Sequence, residues 1–194
     1  KLHYEKTNYH NMNKIIKLLA IFAILPLFAN AQVEVTVGSQ VTSVSNIVSG
    51  KAYLLRWEAL SGKPFALDTG GTDYSMASNN SASLAAVYYL ISDGNGGYKV
   101  ENAYTRNYWP TPTSNGEVIA PTTAANAGNY TIAESATSGR FTFTSNGFHT
   151  NRSSSKLVMH TSDSPVSIFE VDASTLSTAT SYAEFTDKDI SISS

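Results

Sequence analysis

The chain has 194 residues, with 13 basic and 15 acidic side chains, a formal net charge of −2 and no cysteine. This composition excludes disulfide bridges, thiolate chemistry and cysteine-ligated zinc. Because phosphate binding requires a cationic surface, nucleic acid is not expected as a partner.

The N-terminal part of the chain is predicted to be an export signal. Two lysines flank the start of an apolar run over residues 15–28, and an Ala-Asn-Ala sequence ends at residue 31. This is the pattern of a signal peptide at 12–31, with residues 1–11 as upstream translated sequence. A membrane anchor is the alternative, but the run contains Pro26 and is shorter than the roughly 20 residues that a spanning helix needs. The mature protein is therefore expected to be secreted, periplasmic or at the cell surface, with no membrane attachment.

The residues that follow the signal make one domain of ordinary size. Residues 1–31 contain four lysines and one glutamate, so their removal leaves nine basic and 14 acidic side chains. Short runs of alternating apolar residues lie between clusters of Gly, Asn, Asp and Ser, which is typical of β-strands and turns. The run at residues 32–49 is expected to lead into the first strand of the domain.

Three stretches of the chain follow one plan of four short strands. The first strands begin at Tyr53, Tyr98 and Phe141, which are 45 and 43 residues apart. Each fourth strand places an aromatic residue two positions before an aliphatic one, and these pairs are Tyr89 with Ile91, Tyr130 with Ile132, and Phe169 with Val171. We expect the three aromatic side chains to meet in one core.

Three such units predict an all-β fold that closes on itself. A solenoid of three units would leave two exposed edges, and three blades are too few for a propeller. Three four-stranded units of about 40 residues that close on one another leave no edge. The plan resembles the β-trefoil, which we place at residues 50–172. The Ser/Thr-rich segment 173–194 is expected to be a linker or the start of a further domain.

Within the trefoil class, residues 50–172 resemble ricin-B-type lectin domains. Those domains carry Leu-Asp in the second strand and Gln-x-Trp near the end of each repeat. Leu67-Asp68 matches the first motif; Tyr89, Tyr130 and Phe169 stand at the Trp position, and Val87, Gly128 and Ser167 at the Gln position. The resemblance implies a lectin-like, carbohydrate-binding module with glycans as partners, either on its own or appended to a larger glycan-active protein. We expect no cofactor and a monomer.

The resemblance places a sugar site in the first copy. The carboxylate of Asp68 is expected to accept hydrogen bonds from sugar hydroxyls. Tyr74 would supply an aromatic platform, and Asn79 or Asn80 an amide partner. The alternative is that Asp68 caps the turn that precedes Gly70.

The other two copies offer weaker binding patterns. In the second copy, Tyr108 and Trp109 form an exposed aromatic patch, or the Trp belongs to the core. In the third copy, Asn151 with Arg152 and His149 offers a poorer polar site. The two histidines of the mature chain, His149 and His160, are far apart in sequence and make no metal-ligand pattern.

No pattern of catalytic residues appears in the chain. There is no nucleophile elbow, phosphate loop or dinucleotide fingerprint. Paired carboxylates for glycoside hydrolysis stay open, since acidic residues are scattered along the chain. Because a trefoil on its own is more often a binder than a catalyst, the protein is predicted to be non-catalytic by itself. A catalytic domain could lie beyond residue 194 if the chain is a fragment.

Two other functions stay open at this point. The trefoil plan is also similar to that of Kunitz-type soybean inhibitors, in which an exposed loop blocks a protease. The loops at 111–117 and 150–156 are the candidates, with Arg152 for a trypsin-like pocket. The third function is that of a structural spacer in a larger secreted protein.

Overall fold

A computed structural model describes residues 33–58, 60–76 and 82–177 of the chain. The predicted signal peptide, Asn79, Asn80 and the part of the predicted linker from residue 178 onward lie outside these residues. Within them, no helix is long and apolar enough to cross a membrane. The predicted all-β class is confirmed.

The described residues form short strands, joined by turns. The strands are β1 (Val37–Gln40), β2 (Ala52–Arg56), β3 (Ala66–Leu67), β4 (Ser75–Met76), β5 (Val87–Ser92), β6 (Tyr98–Asn102), β7 (Thr131–Glu134), β8 (Phe141–Ser145), β9 (Phe148–Ser153), β10 (Lys156–His160) and β11 (Ser167–Val171). Three-residue 3₁₀ turns occupy Val44–Asn46, Leu84–Ala86 and Ala124–Asn126. A helical turn covers 173–177, where the sequence predicts a linker.

The strands follow the threefold plan read from the sequence. β2, β6 and β8 coincide with the predicted first strands, and β5, β7 and β11 with the predicted fourth strands. In the second copy, the two middle strands are reduced to single bridges, which pair Tyr108 with Thr122 and Val118 with Val158. Pro110 lies between them and lacks the N–H that a regular ladder needs.

The strands make two sheets, whose pairing continues from one to the other. The first has the order β1-β11-β2-β5-β6, and the second β3-β4-β10-β9-β8-β7. Tyr98 and Tyr130 exchange two backbone hydrogen bonds of 2.8 Å, which join β6 to the start of β7. Phe141 and Val166 do the same at 2.7 and 2.9 Å, and so join β8 to the start of β11. Six strands therefore pair in a ring, and ring closure removes the exposed edges that favour aggregation.

Two hairpins, β3–β4 and β9–β10, lie beside this ring and pair with each other through Lys156 and Ser75. The turn between β8 and β9 uses Asn146 and Gly147, whose φ angles are +49° and +80°. Asn-Gly is the sequence that such a two-residue turn favours, because both positions need a left-handed backbone.

An inner core of aromatic residues fills the ring. The indole of Trp109 lies 6.2 Å from the ring of Tyr74, 5.6 Å from Tyr88, 5.5 Å from Tyr130 and 5.8 Å from Phe143, measured between centroids. Most of these contacts are edge-on, which is the arrangement that aromatic quadrupoles favour. All three copies contribute to this cluster, as the repeat predicts. The placement of Trp109 in the core, one of the two alternatives, is confirmed.

We expect Tyr89, Tyr130 and Phe169 to meet in one core, and this prediction is wrong for Tyr89 and Phe169. Tyr130 lies in the inner core, whereas Tyr89 and Phe169 face the other side of the sheet. Their neighbours Tyr88 and Ile168 point inward instead. A shift of one residue turns a strand side chain to the opposite face, and a doublet of large apolar residues hides which one is inside.

The outward-facing residues of β11, β2 and β5 form a second core. It contains Leu54, Val87 and Phe169, and the chain segments that carry Val35 and Leu84 cover it. The N-terminal segment also adds β1 to β11. Tyr89 packs at the edge of this core and is partly exposed.

Candidate functional site

Asp68 lies inside the protein and has no exposed surface. Its Oδ1 accepts the N–H of Gly70 at 2.9 Å, and its Oδ2 accepts the amide of Asn107 at 3.0 Å and the hydroxyl of Thr105. The expectation of an exposed acceptor for sugar hydroxyls is wrong, because the protein itself surrounds the carboxylate. The alternative is confirmed, since Asp68 caps the turn at Gly70, and it also holds a second loop.

The three aromatic residues predicted for sugar binding, Tyr74, Tyr108 and Trp109, differ in exposure. Tyr74 and Trp109 are fully buried, so neither can serve as a platform for a ligand. Burial, and to a smaller degree the charge of Asp68, raises the pKa of Tyr74 well above its ordinary range. Tyr108, by contrast, is half-buried at the surface.

Asn151 lies in β9, on a different part of the surface from the first copy's hairpin. Its amide donates to the carbonyl of Ser162 at 2.9 Å, and its Oδ1 accepts the N–H of Arg152 at 2.7 Å. The side chain therefore braces the segment that follows β10. It is partly exposed, and its predicted ligand role stays a prediction.

A cluster of four residues on the outer face of the sheet, which we call the tyrosine–arginine site, consists of Tyr89, Glu101, Arg106 and Tyr108. Tyr89 pairs with Glu101 across β5 and β6, and Glu101 makes a bridge to Tyr108. The three residues therefore lie side by side on adjacent segments. At the usual spacing between strands, the two tyrosine positions are about 10 Å apart.

Arg106 lies over this row of side chains. Its Nη2 is 2.8 Å from Oε1 of Glu101, and its guanidinium carbon is 5.6 Å from the ring centroid of Tyr89. The side chain of Arg106 is 66% exposed, while that of Glu101 is only 4% exposed. The site therefore presents an exposed guanidinium between two partly exposed tyrosines, with a buried carboxylate beneath it.

The carboxylate of Glu101 also affects Tyr108. Partial burial, a hydrogen bond to Glu101 and the negative charge of that carboxylate together raise the pKa of Tyr108, while Arg106 opposes them. The raised pKa keeps the phenol of Tyr108 protonated at neutral pH.

The loop at 103–107 positions Arg106. Asp68 binds the residues on both sides of it, Thr105 and Asn107. The N–H of Arg106 donates to the carbonyl of Asn102 at 3.0 Å. Arg106 itself has a φ of +62°, a left-handed conformation that costs a residue other than glycine on the order of 1 kcal/mol. Such a conformation persists because the neighbouring hydrogen bonds enforce it.

Sequence reasoning missed three of the four residues of this site. Tyr108 was predicted, Tyr89 was assigned to the core, and Glu101 and Arg106 were not singled out. The residues come from two strands and a loop, and no short motif connects them. The signal in the sequence is only indirect. The Leu67-Asp68 motif draws attention to Asp68, but not to its partners Thr105 and Asn107, which flank Arg106.

The structure brings together the two histidines that are distant in sequence. His149 and His160 are paired across β9 and β10. Nδ1 of His160 accepts the backbone N–H of Ser162 at 3.1 Å, which places the proton of the neutral ring on Nε2. Among the described residues, no group of three or more His, Cys, Asp or Glu side chains is arranged to hold a metal ion.

Neither candidate protease-binding loop has the extended, free backbone that such a loop needs to pair with a protease. Within 111–117, the side chain of Glu117 accepts the N–H groups of Thr113 and Ser114 at 2.6 and 3.0 Å and closes the loop on itself. Within 150–156, Arg152 is paired with Leu157 in the β9–β10 ladder. We therefore find no observation that favours the inhibitor function.

The fold is similar to that of part of a toxin. A solved structure that matches is described as "Structure and mode of action of a mosquitocidal holotoxin", with a TM-score of 0.51 and 15% sequence identity. It covers 66% of this chain and 18% of the toxin chain, so this chain spans less than a fifth of that protein. No protein-family model and no curated protein matches the sequence. The likeness concerns the fold alone.

Proposed function

We propose that this protein is a secreted carbohydrate-binding module with a β-trefoil fold, that it is non-catalytic by itself, and that it binds glycans at the tyrosine–arginine site. The observation that carries the proposal is the arrangement of Tyr89 and Tyr108 beside the Arg106–Glu101 pair on an accessible sheet face. Sugar recognition uses aromatic side chains together with a few fixed polar groups. The two partly exposed tyrosines beside the ion pair support the proposal.

The β-trefoil is supported by the plan of the chain and by its pairing. Three copies of four strand segments contribute to one aromatic core, and six of the strands pair in a ring. The similarity to the holotoxin adds support at the level of fold. A carbohydrate-binding role for the toxin part is not assumed, and the glycan proposal rests on the surface residues.

Export is the second part of the proposal and rests on the sequence of residues 12–31. It predicts that the mature protein begins at Gln32. N-terminal sequencing of the protein recovered from the medium or periplasm tests this. Recovery of the uncleaved chain in a membrane fraction would replace the signal peptide with an anchor.

The ligand is expected to bind weakly, because the site is open and buries little area. A dissociation constant in the high-micromolar to millimolar range corresponds to about −4 to −6 kcal/mol. A multivalent display of the protein is therefore needed for detection on a glycan array, since avidity compensates for weak single-site binding.

A glycan array tests the function, with one variant for each candidate site. Tyr108→Ala removes an aromatic edge of the tyrosine–arginine site, and Asn151→Ala alters the predicted polar site of the third copy. We expect Tyr108→Ala to lose binding about ten-fold or more and Asn151→Ala to bind like the parent. Equal urea midpoints would verify that both variants are folded. The reverse pattern would move the site to the third copy, and no binding by the parent to any glycan would reject the function.

A further inference from the structure

The exposed part of the tyrosine–arginine site is cationic. Glu101 is almost completely covered, and its negative charge is paired with the guanidinium of Arg106. Arg106 is two-thirds exposed. A ligand that approaches from solvent therefore meets the guanidinium before it meets the carboxylate.

A second basic residue lies on the same face of the sheet. Lys99 is two residues before Glu101 in β6, so the side chains of both residues leave the strand on the same side, about 7 Å apart. Its Nζ donates to the carbonyl of Ala124 at 3.4 Å, a contact with a neutral partner. Strand β6 and the loop after it thus carry two basic side chains, Lys99 and Arg106, and one buried carboxylate, Glu101, although the chain as a whole has a net charge of −2.

The guanidinium of Arg106 is held in place before any ligand arrives. Asp68 fixes the loop on both sides of it, Glu101 holds one nitrogen, and the ring centroid of Tyr89 lies 5.6 Å from the guanidinium carbon. Arginine has five N–H donors in a rigid fork that matches the oxygens of a carboxylate or sulfate. One bond to Glu101 leaves donors on the exposed part of the fork. Preorganisation of this kind reduces the entropy that binding would otherwise cost.

From this arrangement we infer that the ligand of the tyrosine–arginine site is an acidic glycan, whose carboxylate or sulfate binds the guanidinium of Arg106 while its sugar ring packs against Tyr108. This inference rests on the proposed glycan-binding function and narrows it to one class of ligand. Lys99 adds attraction at longer range, which salt should screen over a Debye length of about 8–10 Å.

Matched glycans test the charge directly. Each acidic oligosaccharide, bearing a uronic acid, a sialic acid or a sulfate, is compared on one array with its carboxyl-reduced or desulfated form. We expect the purified protein to prefer the acidic member of a pair about ten-fold or more, because charge-assisted hydrogen bonds are roughly twice as strong as neutral ones. The preference should fall when salt is raised from 0.05 to about 0.5 M, by the screening argument above.

Three variants assign the preference to Arg106. Arg106→Gln should abolish the preference, and Arg106→Lys should retain part of it, because lysine keeps the charge but not the fork. Arg152→Gln removes an exposed arginine outside the site and should change nothing. Equal midpoints of urea denaturation for the three variants would verify that each of them is folded.

The outcomes separate this inference from the function on which it rests. Equal or better binding of the neutral partners would overturn the acidic ligand and leave a glycan-binding module. A preference for acidic glycans that survives in Arg106→Gln would also overturn the inference, because another residue would then bind the acidic group. No binding of either class would reject the glycan function and this inference together.

Discussion

The buried carboxylate of Asp68 joins two loops that come from different copies of the repeat. It accepts hydrogen bonds from Gly70 in its own turn and from Thr105 and Asn107 in the loop that carries Arg106. A hydrogen bond to a charged group contributes about 1.5–3 kcal/mol to stability. A single acidic side chain therefore contributes to both the stability of the fold and the placement of the arginine.

Replacement of Asp68 tests this role at the level of one residue. We expect Asp68→Ala to lower the free energy of unfolding by about 3 kcal/mol, measured by urea denaturation, because three donors in two loops lose a shared charged acceptor. Asp73→Ala is the control in the same loop. Asp73 forms a surface ion pair with Lys156 at 2.6 Å, and such pairs contribute about 0–1 kcal/mol. Equal stability of the two variants would mean that Asp68 does not hold the loops together.

The loop at 111–117 is an element whose conformation depends on one titrating group. The N–H of Thr113, its hydroxyl and the N–H of Ser114 all donate to Glu117. These hydrogen bonds, with that of the Thr113 N–H the largest, hold the pKa of Glu117 below its ordinary value, although burial opposes them. A carboxylate with a lowered pKa stabilises the folded loop above the unfolded pKa of about 4.3.

This stabilisation should disappear as the pH falls through the lowered pKa of Glu117. We expect the protection of the Thr113 and Ser114 amides against hydrogen exchange to be full above about pH 5 and to decrease below pH 4. NMR-detected exchange measures it, after correction for the intrinsic rates. In Glu117→Gln the two amides should show no such step. A step of the same size in that variant would assign it to another group.

At the scale of the whole molecule, two cores share the strands of one ring. Phe143 belongs to the inner core, and Leu54 to the core on the outer face. Because β2 and β5 contribute to both, the loss of packing on one face should weaken the other. Separate unfolding of the two cores is not expected.

Truncation of one residue in each core tests this coupling. Phe143→Ala should cost about 3–5 kcal/mol and Leu54→Ala about 2–5 kcal/mol. In each variant, the fluorescence of Trp57 and Trp109, both buried in the inner core, should give the same urea midpoint as far-UV circular dichroism. A Leu54→Ala protein whose circular dichroism changes before its tryptophan fluorescence would show that the outer core unfolds alone.

The repeat could be predicted from the sequence because strand starts and aromatic residues recur at regular intervals. The sequence could not show which residues of β5 and β11 point inward, since both positions of Tyr88-Tyr89 and of Ile168-Phe169 are apolar. Local alternation does not decide between the two faces when both are buried. The outer core that buries Phe169 forms only when segments distant in sequence cover the sheet.

The candidate site was predictable only through Tyr108. Its partners Tyr89, Glu101 and Arg106 are brought together by strand pairing and by the clamp from Asp68, which is about 40 residues away along the chain. The family resemblance drew attention to Leu67-Asp68, and the prediction that this acid faces solvent failed because the neighbouring loop covers it. A charged side chain that is fully buried and fully hydrogen-bonded holds structure together, whatever its motif suggests.

The central claim, a glycan site on the outer face of β5 and β6, is tested most directly by NMR titration with the glycan that the array binds best. The account predicts that amide shifts change in β5, β6 and residues 103–108 as the ligand saturates, and that Arg106→Gln removes most of the change. Shifts confined to the turn at 68–74 or to residues 150–153 would contradict the account, because the ligand would then occupy another copy of the repeat.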